Sequence, residues 1–256
     1  MTISVEIALI GFLVGTLIGL TGMGGGSVLT PFLILFLGID PFVALGTGFI
    51  VGALTRSVGA WNHWNLGNID VKVVLQLLKG SLPGILAGFG ILKLIEQTKL
   101  FSLNDFLRHA IGFALVIVAV SMFFPSVWKN IQKQITTLSV HHHLRWIAPY
   151  SCFVGSLISM TSVGTGMLLV PLLIILLPAS LPAVVGVNVL HGAIITGILG
   201  ILHGAFGNVD WPLAGRLVVG MVPGILLGSQ LSVLIPRRAF ELILASTLLT
   251  TSIKLI

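Results

Sequence analysis

Two short segments of this chain carry residues arranged to bind an anion through main-chain groups. Thr21-Gly22-Met23-Gly24-Gly25-Gly26-Ser27 and Thr161-Ser162-Val163-Gly164-Thr165-Gly166 each join a long apolar run to a short one. A helix broken in apolar surroundings leaves N–H and C=O groups that cost several kcal/mol each unless satisfied, so such a break is tolerated where it lines a polar cavity. The start of the following helix presents free N–H donors and about half a positive charge, which favours an anion. Gly24, Gly25, Gly26, Gly164 and Gly166 let a ligand approach the backbone closely, and Thr21, Ser27, Thr161 and Thr165 add hydroxyl donors. The bland alternative is tight helix packing through small residues. Two motifs at matching positions favour the anion site.

Ionisable residues narrow the chemistry. Arg56 and Lys79 fall inside apolar runs, where a charge is expensive and marks either function or a side chain snorkelling to the interface. Asn188 and His191, three residues apart on one helical face, fall near the middle of another run. They could donate to a bound anion, or His191 could simply hydrogen-bond a neighbouring helix. The seven acids (Glu6, Asp40, Asp70, Glu96, Asp105, Asp210 and Glu241) all lie at the ends of apolar runs. No carboxylate at bilayer depth argues against cation coupling and a cation substrate. Asp70 and Asp210 read as helix N-caps after Gly-Asn turns. His63 and His203, with Trp61 and Trp64 nearby, read as interfacial. The triplet His141-His142-His143 reads as solvated rather than metal-binding, and no motif calls for a cofactor. An intramembrane enzyme would need a nucleophile–base or metal cluster at depth, and His191 has no such partner nearby in sequence.

The elements that must hold these residues are membrane helices. Of 256 residues, 56% are apolar and 8% charged, against roughly 25% charged in ordinary soluble domains. Mean hydropathy is +1.13. Such a chain cannot cover a water-facing surface, which excludes a cytosolic enzyme and a nucleic-acid-binding domain. The formal charge of +6 is spread thinly near helix ends, as expected where loops meet anionic lipid. Cys152 stands alone and reads as packing. No basic residue precedes Arg56, so the first apolar run reads as a retained span rather than a signal peptide. Spans of membrane length are expected at 4–22, 41–61, 72–95, 106–124, 145–163, 182–205, 211–234 and 238–255, with short runs at 25–37 and 165–177.

The chain repeats itself at an offset of 140 residues. Pro31 matches Pro171, Gly24-Gly25-Gly26 matches Gly164-Thr165-Gly166, and Pro83-Gly84-Ile85-Leu86 matches Pro223-Gly224-Ile225-Leu226. His63, Gly67, Asn68 and Asp70 match His203, Gly207, Asn208 and Asp210. Polar residues in register do not coincide by chance, so a duplication is read: residues 1–125 and 144–256 as two membrane repeats, joined by a polar connector at 126–143. The fold expected is all-α and polytopic, with 8–10 transmembrane segments in two five-segment repeats broken at the glycine motifs. Five crossings per half make the repeats inverted, as in many transporters. Re-entrant short segments would make them parallel. Basic residues, six on one side against five on the other, do not arbitrate.

The paired glycine motifs, each followed by an apolar stretch with Pro, and the later Gly-Asn-(Ile/Val)-Asp and Pro-Gly blocks resemble the sulfite exporter TauE/SafE family over nearly the whole chain. The second motif departs from the fuller glycine pattern at Thr165. The resemblance implies a multi-pass permease of a bacterial or archaeal inner membrane, carrying sulfite, organosulfonates or related anions. Beside it stand a carrier of another small anion and a non-transporting membrane scaffold. The sequence leaves the anion, direction, coupling and oligomeric state open.

Overall fold

The computed structural model describes residues 2–21, 26–99, 101–123, 140–163, 168–170, 173, 180–231 and 237–256. The described residues form helices and no strand: α1 (Thr2–Thr21), α2 (Gly26–Phe36), α3 (Pro41–Asn65), α4 (Val71–Thr98), α5 (Leu103–Phe123), α6 (Val140–Thr161), α7 (Leu181–Ala205), α8 (Trp211–Leu231) and α9 (Arg237–Leu255). Five of them, α3, α4, α5, α7 and α8, are long and apolar enough to cross a bilayer. Val5–Leu20 and Ile147–Thr161 add shorter apolar stretches. The short run expected after the first glycine motif is α2, whose 11 residues span about 16 Å, half of a hydrocarbon core. The second short run lies mostly outside the described residues. So does the polar connector, except that α6 already begins at Val140.

Helix boundaries follow local chemistry. Asp40 caps α3, its carboxylate accepting from the Phe42 N–H at 2.9 Å, and Pro41 occupies the first turn, where no N–H is needed. Asp70 accepts from Lys72 N at 2.9 Å, and Asp210 accepts from Leu213 N at 2.9 Å, so both expected caps are present. The turns before them match. Gly67 and Gly207 take φ of +67° and +75°, which a side chain would strain, and Asn68 and Asn208 donate back to the His63 and His203 carbonyls at 3.0 and 2.9 Å.

The most extensive helix pairings are α1 with α8 and α4 with α6, followed by α3 with α7 and α5 with α9. The first two pairs meet backbone to backbone. A Cβ on Gly80, Gly84 or Gly88 would run into main-chain atoms of Ala148, Cys152 or Ser156. A Cβ on Gly220, Gly224 or Gly228 would meet those of Ala8, Phe12 or Thr16. In lipid, where hydrophobic driving force between helices is absent, such close approach is how helices hold together. In both pairs the contacting residue numbers rise together, so the partners run parallel. Along α3 and α7 they run oppositely: Ile50 meets Gly200, Ala53 meets Gly197, Arg56 meets Gly192, and Gly59 meets Val189. These two helices are antiparallel.

Candidate functional site

Where α3 and α7 cross, α4 also packs against α7, and buried polar side chains from the three helices come together. Arg56 is 9% exposed, Asn188 8%, Ser81 1% and His191 fully buried. His191 Nε2 and Ser81 Oγ are 2.8 Å apart, a buried hydrogen bond between α7 and α4. Whichever of the two donates, His191 Nδ1 is left without a partner, as is Asn188 Oδ1. The Arg56 side chain rests on Gly192, the next residue after His191. A Cβ there would lie 3.3 Å from Arg56 Cδ and 3.4 Å from its Nε, so glycine makes room for the stem.

All of this lies at mid-span. His191 and Ser81 are each the eleventh residue of their helices, and Arg56 is the tenth from the end of α3. The same three helices hold one acid, Glu96, fifteen residues beyond Ser81 and about 22 Å along the helix, where it pairs with Lys93 at 2.6 Å. The structure thus brings Arg56, Asn188 and His191 into one neighbourhood. It also divides the two intramembrane cations, since Arg56 is buried and Lys79 exposed.

The glycine breaks are described in part. α1 ends at Thr21 and α2 starts at Gly26, but Gly24 and Gly25 lie outside the described residues, as do the side chains of Thr21 and Ser27. At the second motif, α6 ends at Thr161, and Ser162 turns the chain into the left-handed region at φ +59°. Thr161 Oγ1 donates to the Leu157 carbonyl at 2.7 Å and accepts from Val163 N at 3.2 Å, so its hydroxyl caps the break itself. Gly164, Thr165 and Gly166 lie outside the described residues. An apolar cleft of 230 Å³ between α5 and α6 reaches Thr161, and its other lining residues offer no side-chain donor.

Sequence reasoning missed two features. Ser81 escaped because the residue 140 positions further on is the apolar Met221, so no matching polar residue marks it. His203, read as interfacial, is instead fully buried among the rings of Phe42, Phe49 and Phe89, with centroids 5.0–5.5 Å away and neither ring nitrogen partnered. Its repeat counterpart His63 is half-buried. Among the described residues no group of three metal-ligating side chains converges.

Helices of membrane length packed through glycine, with charge and hydrogen-bonding groups buried at mid-span, define a multi-pass membrane protein. The chain belongs to the sulfite exporter TauE/SafE family, whose profile matches residues 7–255. A probable membrane transporter protein of Bacillus subtilis (strain 168), YjnA, is 35% identical over 99% of this chain and 100% of its own length. Another from the same organism, YunE, is 26% identical over 91% of this chain and 89% of its own. A probable membrane transporter protein of Xylella fastidiosa (strain 9a5c) is 25% identical over 87% and 82%. No solved structure matches the chain.

Proposed function

We propose that this chain, a membrane transporter by family, exports small sulfur-containing anions such as sulfite or organosulfonates across a bacterial or archaeal inner membrane. The anion is held between two repeats by the glycine breaks, Thr21 to Ser27 and Thr161 to Gly166, together with Asn188, His191 and Arg56. The observation that carries this reading is that Arg56, Asn188 and His191, polar side chains from two crossing helices, are buried together at mid-span. Export needs no coupling carboxylate, because a 100 mV inside-negative potential drives each elementary negative charge outward by about 2.3 kcal/mol.

The repeats, residues 1–125 and 144–256, are proposed to be inverted. Adding 140 to the first-half partner of each glycine seam yields the other seam: Ala8, Phe12 and Thr16 become Ala148, Cys152 and Ser156. The same shift carries α3 onto α7, which run antiparallel, and this supports an axis in the membrane plane rather than along its normal.

Anion flux into proteoliposomes holding only the purified protein tests the function. Gly26→Val or Gly166→Val should abolish flux while leaving the protein folded and inserted, because a side chain there blocks the approach to the backbone donors. Undiminished flux in both variants would remove the breaks from the site, and absence of flux in the parent protein would sink the transporter reading for these anions.

A further inference from the structure

One hydrogen bond, 2.8 Å long, joins His191 Nε2 on α7 to Ser81 Oγ on α4, and the atom that supplies its hydrogen decides what His191 can offer a ligand. A neutral imidazole has a hydrogen on one ring nitrogen and a lone pair on the other, and the bond at one nitrogen fixes the state of the other. If Nε2 donated, the Ser81 hydroxyl hydrogen and the bare Nδ1 would both be buried unbonded. If Ser81 donates, only the hydrogen on Nδ1 is. Burial penalises each unbonded group, so the second arrangement is favoured.

Other hydroxyls of the chain support the same choice. Helical serines such as Ser57, Ser121 and Ser246 donate to a carbonyl three or four residues back. Ser81 does not, and among the described residues its Oγ has no bond besides that to His191. Its hydrogen is therefore free to point across to α7. Main-chain contact holds the hydroxyl there: a Cβ on Gly155 of α6 would stand 2.7 Å from the Ser81 carbonyl oxygen and 3.0 Å from its Cα. Ser81 thus sits on the close seam between α4 and α6.

We infer that Ser81 is a positioning residue of the anion site: it holds His191 in the tautomer with hydrogen on Nδ1, and that N–H donates to the transported anion. The inference rests on the reading of Asn188 and His191 as part of that site. Helical side chains lean toward the helix N-terminus, so the His191 ring lies toward the turn that carries Asn188. Asn188 Oδ1 and His191 Nδ1 are both buried without partners, which marks a place for a ligand with hydrogen-bonding oxygens. The Asn188 amide has a donor end as well as an acceptor end and can turn the donor to the same ligand.

Nitrogen-15 NMR of the full chain, labelled in histidine and reconstituted in lipid, reads the tautomer, because protonated and bare ring nitrogens resonate far apart. The His191 signals are those absent from His191→Gln. In the parent protein Nε2 should be bare and Nδ1 protonated, and the Nδ1 signal should move when sulfite is added. Ser81→Ala should show a mixture of tautomers. It should raise the sulfite concentration for half-maximal flux into proteoliposomes about two- to fivefold, the cost of drawing one tautomer from a mixture, with maximal flux retained.

A hydrogen on Nε2 in the parent protein would overturn the inference, and that measurement needs no variant. So would a Ser81→Ala protein with an unchanged tautomer or unchanged half-saturation. An Nδ1 signal that saturating sulfite leaves in place, in a parent protein that carries sulfite, would remove the donor role while keeping the carrier. A parent protein that carries no sulfite would remove the anion reading, and the donor role with it, whatever the tautomer.

Discussion

Gly88 and Gly90 lie two residues apart on α4, and alanine should act on them in opposite directions. A Cβ on Gly88 would stand 2.7 Å from the Ser156 carbonyl oxygen, 2.9 Å from Ser159 Cβ and 3.1 Å from Ser156 Cα. Ordinary contact begins near 3.4 Å, so α4 and α6 would have to part by about 0.7 Å at this point (3.4 − 2.7). A gap of that size forfeits a quarter to a half of the dispersion attraction across the parted surfaces, and overpacking of this kind costs about 1–3 kcal/mol. At 2 kcal/mol, a chain of this size should melt about 4–8 °C lower. Gly90 is exposed and a Cβ there meets nothing within 4 Å. Its alanine variant gains up to about 1 kcal/mol of helix propensity and should melt at the parent temperature or a few degrees higher. Thermal unfolding of the detergent-solubilised full chain, followed by tryptophan fluorescence, measures both. If Gly88→Ala melts no lower than Gly90→Ala, the two helices are not in backbone contact there and the seam does not exist.

The antiparallel crossing of α3 and α7 can be trapped. A Cβ on Gly197 lies 3.9 Å from that of Ala53, inside the 3.5–4.5 Å window of a disulfide, so Ala53→Cys with Gly197→Cys should cross-link under mild oxidation once Cys152 is replaced by Ser. Absence of a cross-link would count against the crossing. His203→Phe should raise the melting temperature, since it removes two buried nitrogens without partners, at about 1–3 kcal/mol each, from a ring of three phenylalanines. A lower melting temperature would mean that the imidazole is held by something its surroundings do not reveal.

The helices were readable because apolar runs of membrane length are their own signal, and because Asp70 and Asp210 mark helix starts by a hydrogen bond that needs no tertiary partner. Which face each helix turns inward was not readable. In water, burial separates apolar from polar along a helix. In lipid both faces are apolar, so no periodicity distinguished Arg56, which is buried, from Lys79, which is not. Ser81 became visible only when α4 was laid beside α7, since its partner lies 110 residues away. The sequence placed His191 near mid-depth from its position in an apolar run, and its neighbourhood with Arg56 had to wait for the crossing. His203 was misread because a histidine near a span end is usually wet, and only packing against Phe42, Phe49 and Phe89 reveals otherwise.

The glycine seams also decide which parts of this protein are able to swing. A carrier that opens first to one side and then to the other must slide some helices past others, and sliding is hardest where main chains interlock without side chains between them. Here α1 is fastened to α8 and α4 to α6, so each stiff rib is stitched from one segment of the first half and one of the second. A movement that kept both seams intact would carry α1 with α8 and α4 with α6, joining segments far apart in sequence, and would have to take place at other contacts.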